Sequence, residues 1–183
     1  MKTFLLRNAV RTLNALELLF LIVVLITAFF FQFVLKELPC PLCLLQRIGM
    51  LGICIGFLLN LRFGLKPSHY ALVLLSALFT AFVALRQIAL HIVPGSGSYG
   101  SAILGFHMYT WSFIISMLII IATTILLSCD REYLPALKIT TRWKHLIHLL
   151  FAVVFIISIM NVESTYRECG WQQCPDMPTH YLF

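Results

Sequence analysis

Five long apolar stretches, separated by short polar segments, predict an all-α, integral membrane helical bundle. Composition agrees: 61% of the 183 residues are hydrophobic and 11% are charged, against roughly 25% charged in an ordinary soluble domain. A mean hydropathy of +0.96 leaves too little polar surface to cover a water-soluble globule. The third observation is the placing of cations, which crowd into alternate connecting segments.

A spanning helix needs about 20 mostly apolar residues, within a range of about 17 to 25. Residues 15–35, 44–62, 70–91, 111–128 and 145–161 meet or approach that length. The first is expected to anchor the chain, because its apolar run is too long for a signal peptide and no small-residue cleavage site follows. Glu17, beside Arg11 and Asn14, reads as an interfacial, solvated carboxylate. The second span is expected to begin within Cys40-Pro41-Leu42-Cys43, since a proline in the first helical turn gives up only an N–H that would be unpaired. The third ends near Arg86 and His91, and a loop over 92–110 without any Lys, Arg, Asp or Glu follows. Its glycine-serine run at 95–101 reads as a flexible connection, with no strand or lysine to make a phosphate cradle. His107, Tyr109 and Trp111 suit an aromatic belt at the start of the fourth span. Asp130-Arg131-Glu132 reads as a solvated turn at its far end, and the fifth span, the shortest, opens on His145 and His148.

With the N-terminus in the cytoplasm, inner segments hold Lys2, Arg7, Arg11, Arg62, Lys66, Arg131, Lys138, Arg142 and Lys144, and outer ones only Lys36 and Arg167. Arg47 and Arg86 lie just within helix ends. The net charge of +6 therefore reports topology, and no nucleic-acid partner is implied. The same topology sorts the cysteines. Cys40 and Cys43 fall outside between the first two spans, and Cys169 and Cys174 fall outside after the fifth. Disulfides persist on that oxidising side. Cys54 within the second span and Cys129 at the inner end of the fourth read as inert thiols.

Thiols at a helix N-terminus feel its positive end, which favours thiolate. Arg47, four residues after Cys43, lies on the same face one turn deeper. An arginine inside the lipid boundary is costly and marks function unless it snorkels to the headgroups. Two other readings of the cysteines stay open. Four thiolates can bind zinc, although the pairs stand about 125 residues apart without zinc-ribbon spacing. Each pair can also be a static disulfide, although a C-x2-C loop is too short to gain much from closure.

The stretch Phe30-Phe31-Gln32-Phe33-Val34 through Pro39-Cys40-Pro41-Leu42-Cys43-Leu44-Leu45-Gln46-Arg47 resembles the signature of the DsbB family, the disulfide bond formation protein B family. Leu104-Gly105-Phe106-His107-Met108-Tyr109-Thr110-Trp111 is similar to the family's approach to its fourth helix. The resemblance covers roughly the first 128 residues. It implies a four-helix core that reoxidises a periplasmic thioredoxin-like partner of the DsbA type and passes two electrons to ubiquinone or menaquinone in the bacterial inner membrane. By position, Cys40 and Cys43 would be the quinone-coupled pair, with Cys43 nearest the quinone and Arg47 holding it. His91 and Arg86 are further candidates for the quinone head.

One departure from the family is large. The second cysteine pair is missing from the loop between the third and fourth spans, and Cys169 and Cys174 follow a fifth span instead. Two regions are expected: 1–128, a quinone-linked four-helix bundle, and 129–183, a cytoplasmic connector, a fifth transmembrane helix and a periplasmic cysteine-bearing tail. The eight residues from Asn161 to Cys169 would reach about 26 to 29 Å if extended. Packed helices lie about 8–10 Å apart, so a mobile tail of that length can lay its pair over Cys40–Cys43. The family's order favours Cys169 as the sulfur that meets the partner. The alternatives are a quinone reductase of the vitamin K epoxide reductase type, whose motif falls late in the chain, and a non-enzymatic assembly or docking protein with static disulfides or a metal site.

Overall fold

The computed structural model describes residues 2–93, 98, 100–128, 141–174 and 180–182, with backbone alone for 2–7, 141 and 142. The readings of Cys129, of Asp130-Arg131-Glu132, of Lys138 and of most of the glycine-serine run fall outside the described residues, as do those of the Lys2, Arg7 and Arg142 side chains. The described chain forms α1 (Lys2–Phe33), α2 (Pro41–Phe63), α3 (Pro67–His91), a hairpin of β1 (Ala102–Ile103) and β2 (Phe106–His107), α4 (Met108–Leu127) and α5 (Thr141–Cys169). All five helices are long and apolar enough to cross a membrane. An all-α membrane bundle results, because in lipid every backbone N–H and C=O must find its partner within the chain.

Apolar residues lie on both sides of this structure. Leu18, Leu21 and Leu25 of α1, Ile53 and Phe57 of α2, Val73 and Ala77 of α3 and Ile147 of α5 are buried in the core. Leu75, Phe82 and Phe155 are more than 60% exposed and face the surroundings, as side chains in lipid do. The helix α2 is the most buried and packs on α1, α3 and α5. Short residues make its contact with α3 close. A methyl at Gly52 would meet Ser76 Oγ at 2.5 Å, and one at Gly56 would meet Val73 Cγ2 at 2.5 Å and the His69 carbonyl at 3.0 Å. Backbone cannot rotate aside as a serine hydroxyl can. Gly56→Ala is therefore expected to cost about 1–3 kcal/mol of stability and Gly52→Ala less, measured by thermal unfolding in detergent.

Polar side chains bind α1 to the end of α2 and the start of α3. Asn14 Nδ2 donates to Tyr70 Oη at 2.9 Å, Asn60 Nδ2 donates to Asn14 Oδ1 at 3.0 Å, and His69 Nδ1 lies 3.1 Å from Asn60 Oδ1. Glu17 differs from the solvated carboxylate expected of it: it is half-buried, and its Oε2 has no hydrogen-bond partner among the described residues. The loop over 92–110 carries a feature that hydropathy does not reveal. Leu104 and Gly105 both take positive φ, 52° and 83°, and turn β1 back onto β2. Ser101 ties this hairpin to Glu37 through its backbone N–H at 3.2 Å and through its hydroxyl.

Candidate functional site

The helix α2 starts at Pro41, as the prolines predict, and Cys40 is its N-cap. The extended backbone of Cys40 (φ −79°, ψ 162°) turns its sulfur back to accept the Cys43 N–H at 3.2 Å. The two sulfurs lie 2.6 Å apart as free cysteines. A disulfide needs about 2.05 Å, so the pair can close with little backbone movement. The hydrogen bond shared with Cys43, and then burial, hold the Cys40 thiol far above the ordinary thiol range. Cys40 therefore keeps its proton at neutral pH.

Gln87, buried in α3, reaches both sulfurs. Its Nε2 lies 3.0 Å from Cys40 Sγ and 3.5 Å from Cys43 Sγ, and its Oε1 accepts from Gln46 Nε2 at 2.6 Å. Arg86, one residue earlier, is exposed, because each residue turns a helix by about 100°. His91 is half-buried, bonded through Nδ1 to the Gln87 carbonyl at 2.8 Å and stacked on Tyr109 at 5.5 Å. Tyr109 in turn stacks on His107 at 5.3 Å. Choosing candidates by charge drew attention to Arg86 and His91. A glutamine in an apolar span was the stronger signal.

Arg47 is 7% exposed. It does not snorkel. Its guanidinium donates to Gln32 Oε1 at 2.5 Å and to the Ala28 carbonyl at 3.2 Å, and lies 4.6 Å from the Phe29 ring centre. All these hydrogen-bond partners are neutral. The acidic groups within electrostatic reach are Cys43, Glu168, Tyr181 and Cys40, of which Cys43 and Glu168 act most strongly.

Glu168 belongs to α5, which runs to Cys169 and does not stop near Asn161. The extended, mobile eight-residue tail is thus corrected: those residues are helical and span about 12 Å. They continue as helix because they are amphipathic. Glu163 and Arg167 pair at 2.7 Å on the exposed side, and Asn161, Ser164 and Glu168, at i, i+3 and i+7, are buried on the other. Ser164 Oγ lies 2.6 Å from Gln32 Nε2, and Tyr181 Oη accepts from the same nitrogen at 2.8 Å. The end of α5 and the last residues therefore dock on the glutamine that orients Arg47. Beyond the helix, Gly170 takes φ 57° and reverses the chain, and Cys169 is bonded to Cys174. Cys169 is 2% exposed, Cys174 is half-buried, and Trp171 between them is 91% exposed.

Cys43, Arg47, Gln32 and Tyr109 line one cavity of about 80 Å³. A second cavity of about 300 Å³ is lined by Phe20, Trp111, Ile115 and other mostly apolar side chains of α1 and α4. Val24 and Met108 line both, so the two cavities are neighbours.

The family model of disulfide bond formation protein DsbB matches residues 10–98, from α1 to just beyond α3. Over that stretch the chain belongs to the DsbB family. It is thus a multi-pass membrane protein of disulfide-bond formation and a disulfide oxidoreductase. Cys40, Cys43, Arg47 and Gln87 all fall within the DsbB match, whereas α4, α5 and the Cys169–Cys174 disulfide follow it. Among curated proteins and among solved structures, none matches the chain.

Proposed function

We propose that this DsbB-family protein is a quinone-linked thiol oxidase that reoxidises a periplasmic, thioredoxin-like partner of the DsbA type. The observation that carries the proposal is the cavity shared by Cys43 and Arg47, which has an apolar cavity lined by α1 and α4 beside it. A quinone has a small polar head on a long apolar chain, and the two neighbouring cavities suit those parts. Arg47 would hold the head. The bound quinone, ubiquinone or menaquinone, supplies a two-electron acceptor and leaves as quinol with two protons. His91 would help indirectly, by stacking on Tyr109 at the cavity wall. Arg86, being exposed, is left without a role in this reading.

The residues of the chain divide the remaining work. A partner thiolate attacks the Cys169–Cys174 disulfide at Cys174, the more accessible sulfur, and the partner's second thiol completes the partner's own disulfide. This reverses the order that favoured Cys169. The reduced tail pair then attacks Cys40 of the Cys40–Cys43 disulfide, closing Cys169–Cys174 again and leaving Cys43 as the leaving thiolate. Gln87 donates to both sulfurs and Arg47 faces Cys43 with a positive charge; both favour that thiolate. The electron pair leaves when Cys40 and Cys43 close once more. In this reading residues 1–128 form the quinone-linked bundle, and 129–183 supply the connector, the fifth span and the periplasmic relay pair. The N-terminus lies in the cytoplasm of an inner-membrane protein.

The test is quinone reduction by the purified chain in lipid nanodiscs, driven by a reduced DsbA-type protein. Loss of quinone absorbance with stoichiometric partner oxidation is expected; an inert chain would leave the docking-protein reading in its place. Arg47→Gln should slow quinone reduction by about 100- to 1000-fold, the usual cost of losing one preorganised charge or donor at the reacting atoms. Arg47→Lys should not restore the rate, because a lysine lacks the planar fork that meets Gln32 and Ala28 together.

A further inference from the structure

Glu168 is the unexplained group of this site. It is 0% exposed, and neither carboxyl oxygen has a hydrogen-bond partner among the described residues. A fixed, buried carboxylate without hydrogen bonds is costly, so a structural role would call for partners that it lacks. Arg47 is within electrostatic reach but makes its hydrogen bonds to Gln32 and Ala28. Cys43 is the other group in reach. Arg47 therefore needs one counter-charge, and of the acidic groups in its reach Cys43 and Glu168 act on it most strongly and also act on each other.

We propose that Glu168 is the redox-linked proton carrier of the Cys40–Cys43 pair, taking up a proton whenever Cys43 becomes a thiolate and giving it up when the disulfide closes. The inference rests on the oxidase reading for its purpose, not for its chemistry. With Cys40 and Cys43 joined, neither sulfur can carry charge, and the Glu168 carboxylate balances Arg47. When two electrons and two protons arrive from the tail dithiol, the S–S bond breaks. Cys40 keeps one proton as a thiol, Cys43 takes the negative charge, and Glu168 takes the second proton. One positive and one negative charge are buried in either state.

The return step balances in the same way. Cys40 and Cys43 form their S–S bond and release two electrons. The Cys40 proton and the Glu168 proton leave with them, and a quinone that accepts all four becomes quinol. Few other groups compete for the proton. Among the described residues, Arg47 and Cys43 of α2 are the charged or titratable groups within electrostatic reach of Glu168. From α1 comes the neutral Gln32, and from the last residues Tyr181, which bonds to Gln32. On α5 itself Ser164 is neutral, and Glu163 and Arg167 pair with each other on the exposed side.

Infrared difference spectroscopy of the full chain in nanodiscs without quinone, oxidised against dithiol-reduced, tests this. A carboxylic-acid C=O band should appear on reduction, be absent in Glu168→Gln and shift in Glu168→Asp. A band unchanged by both substitutions, or no band in the wild-type chain, overturns the proposal. With quinone and partner present, Glu168→Gln should turn over about tenfold or more slowly, with a flatter pH profile, while Glu168→Asp retains an intermediate rate. Equal rates and equal profiles in all three would also overturn it. The two readings fail separately. A chain that shows the band but never reduces quinone keeps the proton carrier and loses the oxidase; one that reduces quinone without the band does the reverse.

Discussion

Replacing Cys43 by serine is expected to stop quinone reduction whichever thiol supplies the electrons, a loss of at least about 1000-fold. A serine hydroxyl can neither form a disulfide with Cys40 nor hold a negative charge near neutral pH, and Cys43 is the sulfur that lines the Arg47 cavity. The fold should survive, because Cys43 sits in the first turn of α2 and is only half-buried. Cys40→Ser should also stop turnover, for a different reason. It leaves Cys43 free to carry charge beside Arg47 but removes the sulfur with which Cys43 must close. The two variants separate in an alkylation assay. Cys40 holds its proton tightly and is 5% exposed, so peptide mass spectrometry after a thiolate-selective reagent should find Cys43 labelled in reduced wild-type chain and in Cys40→Ser, and Cys40 scarcely labelled in Cys43→Ser. Full quinone reduction by Cys43→Ser would remove this pair from the electron path.

The five spans could be read because hydropathy is an additive signal: each helix has a long enough apolar run however its faces are arranged. The start of α2 could be read for a local reason, since prolines and an N-cap act within one turn. The end of α5 could not. Past Asn161 the average polarity rises, and a reading by average stops there. The helix continues because Asn161, Ser164 and Glu168 share one buried face and Glu163 pairs with Arg167 on the other. Phase carries that information, and a hydropathy average discards it. Phase also separates Gln87 from Arg86: adjacent residues point about 100° apart, and only a packed neighbour decides which one meets the sulfurs. Gln32 stood within the motif that carried the family resemblance, yet its part is set by α5. It accepts from Arg47 and touches Ser164, 132 residues away in sequence. No local pattern holds that contact.

Replacing Cys169 and Cys174 together by serine should abolish partner-driven quinone reduction, by about 100-fold or more, and leave reduction driven by a small dithiol within about twofold of wild type. The difference follows from access. Cys40, the N-cap of α2, is 5% exposed, which leaves a small dithiol better able to reach it than a folded protein. Cys174 is half-buried and shares its loop with the 91%-exposed Trp171, which gives a partner a surface to meet. A partner stripped of its resolving cysteine should therefore be trapped on Cys174 and not on the 2%-exposed Cys169, as peptide mass spectrometry of the mixed disulfide would show. Docking of α5 on Gln32 raises the stakes of this experiment, because the helix that carries Cys169 also touches the glutamine that orients Arg47. If both drives fall together in the double-serine chain, the tail is acting as a brace for the quinone end. If only the partner drive falls, it is acting as the relay. If neither falls, electrons reach Cys40 by another route, and the disulfide at the end of α5 is a static clasp.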